Sequence, residues 1–147
     1  MNTSTEIDRG HDRRPVTTRT HGVADYAVGA VLLLVPNLLG FAHVEGPAVW
    51  VPRLIGALSI LQAIITRYEL GLIKLMPMKF HLFNDFAVGA FLAASPWLLR
   101  FYDSANQRLW VPHLVAGIGI LIITAMTEKH PRSLDVRGRS RHGEAHA

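Results

Sequence analysis

Long apolar stretches recur four times along the chain, at about 22–42, 50–70, 80–101 and 109–127, each near the roughly 20 residues a helix needs to cross a bilayer. The last, LWVPHLVAGIGILIITAMT, carries one ionisable residue, His113, and is apolar on every face. A surface helix of a water-soluble protein would show a polar stripe. The first span holds Asp25 near its start and Asn37 near its end, with apolar or small residues between. Four membrane-spanning helices are the expectation.

The pattern also repeats. Shifting the chain by sixty aligns 21–61 with 81–121 without a gap, and seventeen of the forty-one positions are identical. HGVADYAVGAVLLLVPNLLGF matches HLFNDFAVGAFLAASPWLLRF, and WVPRLIGALSIL matches WVPHLVAGIGIL. Each copy reads as a helical hairpin with an outer loop of about eight residues. Two spans per copy leave both copies facing the same way, related by an axis along the membrane normal. The fold expected is all-α: four transmembrane helices formed by two tandem parallel hairpins. Its parts are a basic tail (1–20), a first hairpin (21–70), a linker (71–79), a second hairpin (80–127) and a second basic tail (128–147). Both tails are too poor in apolar residues to bury a core and are expected to be disordered. A cleaved signal peptide is not expected, because the first apolar run starts late and is too long.

The duplicated hairpin, with Ser95-Pro96-Trp97 in ASPWLLRF and WVP opening the returning helix, resembles the SPW-repeat family of small bacterial membrane proteins. In the first copy the triplet has become Val35-Pro36-Asn37. The resemblance covers about 21–127 and implies an integral membrane domain; it implies no reaction and no ligand.

Charge fixes an expected orientation. The N-tail, the linker region and the C-tail hold twelve of the fifteen Lys and Arg residues, leaving Arg53, Arg100 and Arg108 for the other side. The positive-inside rule then places both termini in the cytoplasm, and the resemblance implies a bacterial plasma membrane. The same distribution argues against nucleic acid as a partner, since no basic surface interleaved with aromatic residues is present. Lysines in GLIKLMPMK (71–79) would lie near anionic headgroups. The chain has no cysteine, which removes thiolate metal sites and cysteine nucleophiles.

Pro36 and Pro96 lie in the outer third of their helices, where each would free a carbonyl, of Leu32 or Leu92, and kink or end the helix. Ser95 is a local partner for such a carbonyl, and Trp97 suits the membrane interface. Trp50 and Trp110 would anchor at the interface, with Pro52 and Pro112 at the first helical position of each returning span. Gly29, Gly56, Gly89 and Gly117 would let helices approach closely. Arg53 and His113, at matching positions, would snorkel to the outer surface.

Two pairs stand out chemically: His21 with Asp25, and His81 with Asp85. Spacing of four puts each pair on one helix face. If the parallel hairpins bring both pairs to a common axis, they offer a site for a divalent metal or a proton relay. A helix-terminal aspartate complementing the macrodipole is the simpler alternative. From sequence, the expectation is a small membrane module acting through packing, with itself or with another membrane protein, and with no cofactor. The alternatives are an oligomeric transporter or ion conduit using the four residues, and a metal-dependent membrane enzyme. No phosphate loop, nucleophile elbow or zincin helix is present.

Overall fold

The computed structural model describes residues 14–103 and 105–129. Among these residues there are four helices and no strand: α1 (Thr18–Leu38), α2 (Pro47–Ile65), α3 (Met78–Leu98) and α4 (Gln107–Met126). Helices α1, α2 and α4 are long and apolar enough to cross a membrane. Helix α3 is 21 residues long, like α1, but Lys79, His81, Asn84 and Asp85 crowd its first two turns. Because α3 packs along α4 as α1 packs along α2, it runs the same course through the bundle. Residues 39–46 in the first hairpin, and 99–103 with 105–106 in the second, lie at one end of the bundle, the loop end.

Each helix starts earlier than the hydropathy pattern indicates, and α2 ends at Ile65 rather than near 70. The expected tails fall largely on residues outside those described. The exceptions are 14–20 and 128–129, and these are ordered: α1 begins at Thr18, and the Thr17 side chain caps it by accepting from the Thr20 amide at 3.2 Å. Val16 forms a bridge with Thr127, donating to the Met126 carbonyl and accepting from the Glu128 amide. Met76, sixty positions on, forms the matching bridge with Thr66, donating to Ile65 and accepting from Arg67. The segment leading into each first helix therefore ties off the end of the other hairpin's returning helix, satisfying carbonyls that a helix C-terminus leaves open.

Buried positions on α1 (Thr18, His21, Gly22, Gly29, Leu32, Val35 and Pro36) follow the helical period and form one face. On the opposite face Val23, Val31, Leu34 and Leu38 are exposed, as are Leu54, Leu58 and Leu61 on α2. Large apolar side chains exposed around a bundle fit a hydrocarbon solvent. Within each hairpin the helices touch backbone to backbone. A Cβ on Gly56 would stand 2.5 Å from the Gly29 carbonyl oxygen, and one on Gly117 would stand 2.6 Å from that of Gly89. Gly117, not Ala116, is thus the counterpart of Gly56: the gapless alignment slips by one residue along the returning helices, while sixty holds for the first helices.

The two prolines of the opening helices act at their ends. Helices α1 and α3 run through Pro36 and Pro96 and stop two residues later. Phe41 donates to the Pro36 carbonyl and Gly40 to Asn37; Phe101 donates to Pro96 and Arg100 to Trp97. That is a Schellman ending in both hairpins, with Gly40 (φ 73°) and Arg100 (φ 57°) in the left-handed position. Ser95 is fully buried and donates to the Leu92 carbonyl at 2.8 Å, the group Pro96 leaves without an amide partner. Pro52 and Pro112 are not first-turn residues: they are sixth in α2 and α4, with Pro47 at the start of α2. The helices begin before Trp50 and Trp110, so WVP marks the second turn.

At the loop end Trp97 stacks on Tyr102 at 5.5 Å and lies 6.0 Å from Trp110, whose indole donates to the Asp103 carbonyl at 2.8 Å. Trp50 and Trp97 remain about half exposed, as interfacial anchors do. Arg53 reaches Asn37 at 2.8 Å near the surface. His113 does not snorkel; it is 1 % exposed, packed on Phe101 at 4.8 Å. Its nitrogens lie beside the carbonyls of Leu109 and Ala48 without completing a hydrogen bond. Ala48 is the residue whose carbonyl Pro52 leaves without its usual amide.

Candidate polar centre between the hairpins

At the end opposite the loops, the first turns of α1 and α3 meet. His21, Asp25, His81 and Asp85 each offer a ligand atom, and these atoms all lie within 4.8 Å of one another. The imidazole Nε2 atoms are 3.2 Å apart. His21 Nε2 is 3.3 Å from Asp25 Oδ1 and 2.9 Å from Asp85 Oδ2. His81 Nε2 is 3.1 Å from Asp25 Oδ2 and 3.0 Å from Asp85 Oδ2. Each histidine therefore contacts its own helix's aspartate and that of the other hairpin. Both rings are almost wholly buried, and the carboxylates are nearly so at 12 and 13 %.

Side chains that hold this centre come from the returning helices. Thr127 Oγ1 lies 2.9 Å from His21 Nδ1, and Thr66 Oγ1 lies 2.8 Å from His81 Nδ1. Both threonines are C-caps in nearly the same extended conformation, pinned by the bridges to Val16 and Met76. Each comes from the hairpin opposite its histidine. Gln62 on α2 donates to Asp85 Oδ1 at 2.7 Å and accepts from Asn84 at 3.2 Å; its amide nitrogen also approaches His81 Nδ1 at 3.2 Å. The second hairpin has Ile122 and Ile123 in this region, so the amide is present on one side alone.

The linker between α2 and α3 runs over 66–77, starting earlier than the expected 71–79, and it covers the centre. Tyr68 is buried, with its ring 5.8 Å from that of His81, and its side chain fills the space beside Gly22. Burial, with the Asp25 carboxylate nearby, pushes its phenol well above the ordinary range and keeps it protonated. Thr18 donates to Glu69 at 2.7 Å, fastening the linker to α1. Amides of Leu72 and Ile73 bond the Ile64 carbonyl, and those of Leu75 and Met76 bond Ile65, so the linker folds back under α2. Leu72, Ile73 and Leu75 point outward, exposed. Beside the centre, a cavity of about 30 Å³ between the helices is bordered by Asp25, Asp85, Ser59 and Thr124.

Sequence reasoning picks out the four ionisable residues and leaves their convergence conditional on the parallel arrangement. It misses Gln62, Thr66 and Thr127. Gln62 carries a signal, an amide in an otherwise apolar stretch of α2. The threonines carry a weaker one, because they align at an offset of sixty-one rather than sixty. Pro36, Ser95, Pro96, Trp97, Trp50, Pro52, Trp110 and Pro112 all lie toward the loop end, away from the four.

Fold and site define the class: an all-helical membrane-type bundle of two hairpins with one buried His/Asp centre at their junction. The family model of the SPW repeat domain matches residues 19–127, and the chain belongs to that family. No curated protein and no solved structure matches it.

Proposed function

We propose that this protein is a cation-binding membrane module whose working part is the His21/Asp25/His81/Asp85 centre. One observation carries the reading: two carboxylates and two imidazoles from different hairpins converge in a buried pocket, each carboxylate facing both rings. Ionisable groups are costly in a membrane interior and mark function there. Packing alone accounts for the glycine contacts inside each hairpin, but not for charged groups gathered between them.

The reading is of a binding module rather than a conduit. Leu32, Val51, Ile55 and Leu92 form a packed apolar cluster between the centre and the loop end, which counts against a polar path through one chain. Twelve basic residues at the ends and linker favour a plasma-membrane protein with both termini cytoplasmic and the centre near that face. The two hairpins then stand as tandem parallel repeats, and association with further copies would occur through the exposed apolar helix faces.

Thermal unfolding of the purified full chain in detergent tests the proposal. Adding cations to chelator-treated protein is expected to raise the Tm in a concentration-dependent way. The D25N/D85N variant should show no such rise. Equal response of both proteins, or of neither, would overturn the reading. Liposomes containing the protein are expected to hold an imposed cation gradient as well as empty ones.

A further inference from the structure

We infer that the centre is a four-coordinate site for a divalent transition metal of the zinc type, its imidazoles aimed by Thr66 and Thr127. This rests on the cation-binding reading and names the cation.

Proton placement leads to it. Thr127 Oγ1 lies 2.6 Å from the Ile123 carbonyl, and Thr66 Oγ1 lies 2.7 Å from that of Gln62. A carbonyl only accepts, so each hydroxyl proton is committed there. Toward its histidine each hydroxyl is then an acceptor, and Nδ1 carries the hydrogen. In their neutral form both rings then turn a bare Nε2 lone pair into the centre, 3.2 Å apart and facing carboxylate oxygens. Asp25 Oδ2 is buried there with no hydrogen-bond partner. Asp85 spends Oδ1 on Gln62, leaving Oδ2 for the centre.

Four acceptors turned on one point need a cation. Two carboxylates with neutral imidazoles carry two negative charges, which one divalent ion cancels. Protonating both rings would also balance charge, but would set two Nε2–H groups against each other at 3.2 Å. The size fits as well. Zn–N and Zn–O bonds of about 2.0–2.1 Å give tetrahedral edges of about 3.3 Å. Four edges of the set His21 Nε2, His81 Nε2, Asp25 Oδ2 and Asp85 Oδ2 run from 2.9 to 3.2 Å. Calcium and magnesium ask for six or more oxygens, which two imidazoles and two carboxylates do not supply. The threonine hydroxyls occupy the place of the outer partners that orient metal-bound histidines.

The test is titration of Co(II) into chelator-stripped full chain in detergent. We expect a single equivalent, the intense visible bands of four-coordinate Co(II), and loss of those bands on adding Zn(II). D25N/D85N should abolish them. T66V/T127V, with hydroxyls removed at similar volume, should keep the band shape and weaken binding about 10–100-fold. Binding of T66V/T127V at unchanged affinity would overturn the aiming role. Failure of Co(II) and Zn(II) to bind, with Mg(II) or Ca(II) still raising the Tm, would overturn the metal class and leave the cation reading standing. No response to any cation would remove both.

Discussion

Two glycines in one helix turn, Gly117 and Gly119, should respond to alanine in opposite directions. A Cβ on Gly117 would meet the Ala93 amide nitrogen and stand 2.6 Å from the Gly89 carbonyl oxygen. That is about 0.8 Å short of the 3.4 Å where ordinary contact begins, and the obstacles are backbone atoms that cannot rotate away. Helices α3 and α4 would have to part, disturbing the packing along the whole hairpin. Overpacking of this kind costs about 1–3 kcal/mol. A Cβ on Gly119 meets nothing within 4 Å. There the change leaves only the gain in helix propensity, about 0.8–1.0 kcal/mol in a helix interior. Since G117A receives the same gain, the clash should leave it about 0–2 kcal/mol below wild type and G119A up to about 1 kcal/mol above. Reversible unfolding in mixed micelles, following helical circular dichroism against denaturing-detergent fraction, resolves that difference. If G117A is as stable as G119A, the backbone contact between α3 and α4 is not as described.

Other consequences follow from single contacts. Ser95→Ala should lower stability by about 1 kcal/mol in the same assay, because it removes the donor to Leu92 where Pro96 supplies none. Arg100→Gly should raise it by about 1 kcal/mol by relieving a left-handed conformation that Gly40 already adopts without a side chain; an unchanged midpoint would contradict the Schellman ending. Chelation should lower the Tm of the metal-loaded wild type and leave D25N/D85N unmoved, checked by calorimetry of both proteins with and without chelator.

How much of this is legible in the sequence depends on what each feature rests on. Helix number and direction follow from length and hydropathy, which the bilayer constrains strongly. The His/Asp pairs are legible because a spacing of four survives any uncertainty in helix ends. Boundaries are less so. Pro52 and Pro112 look like helix starts, yet a membrane helix tolerates proline in its second turn when other groups meet the freed carbonyl. His113 looks like a snorkelling residue because Arg53 aligns with it, but a shorter, flatter ring packs inward on Phe101 instead. The partners of the histidines are hidden by the one-residue slip between Gly56 and Gly117. A shift of one residue turns a helix by about 100°, so a gapless alignment pairs Thr66 with Met126 and misses Thr127.

The centre is asymmetric in either register, because the position matching Gln62 is Ile122 or Ile123, and that asymmetry bears on the joint between the hairpins. Each hairpin packs extensively within itself and far less against the other. At the end away from the loops they are joined by two bridges, two threonine–histidine bonds and the four ionisable groups, beside an apolar cluster of Ala63, Tyr68, Met78 and Leu82. Coulombic joints of this kind depend on what sits between the charges, whereas apolar packing does not. Only Asp85 has an amide, Gln62, holding one oxygen, and Asp25 has none. An ion leaving the centre would thus leave the Asp25 side of the junction the less restrained. With the proposed ion bound, the contacts that would depend on it are those between the hairpins, at the end where Tyr68 and the linker close over them.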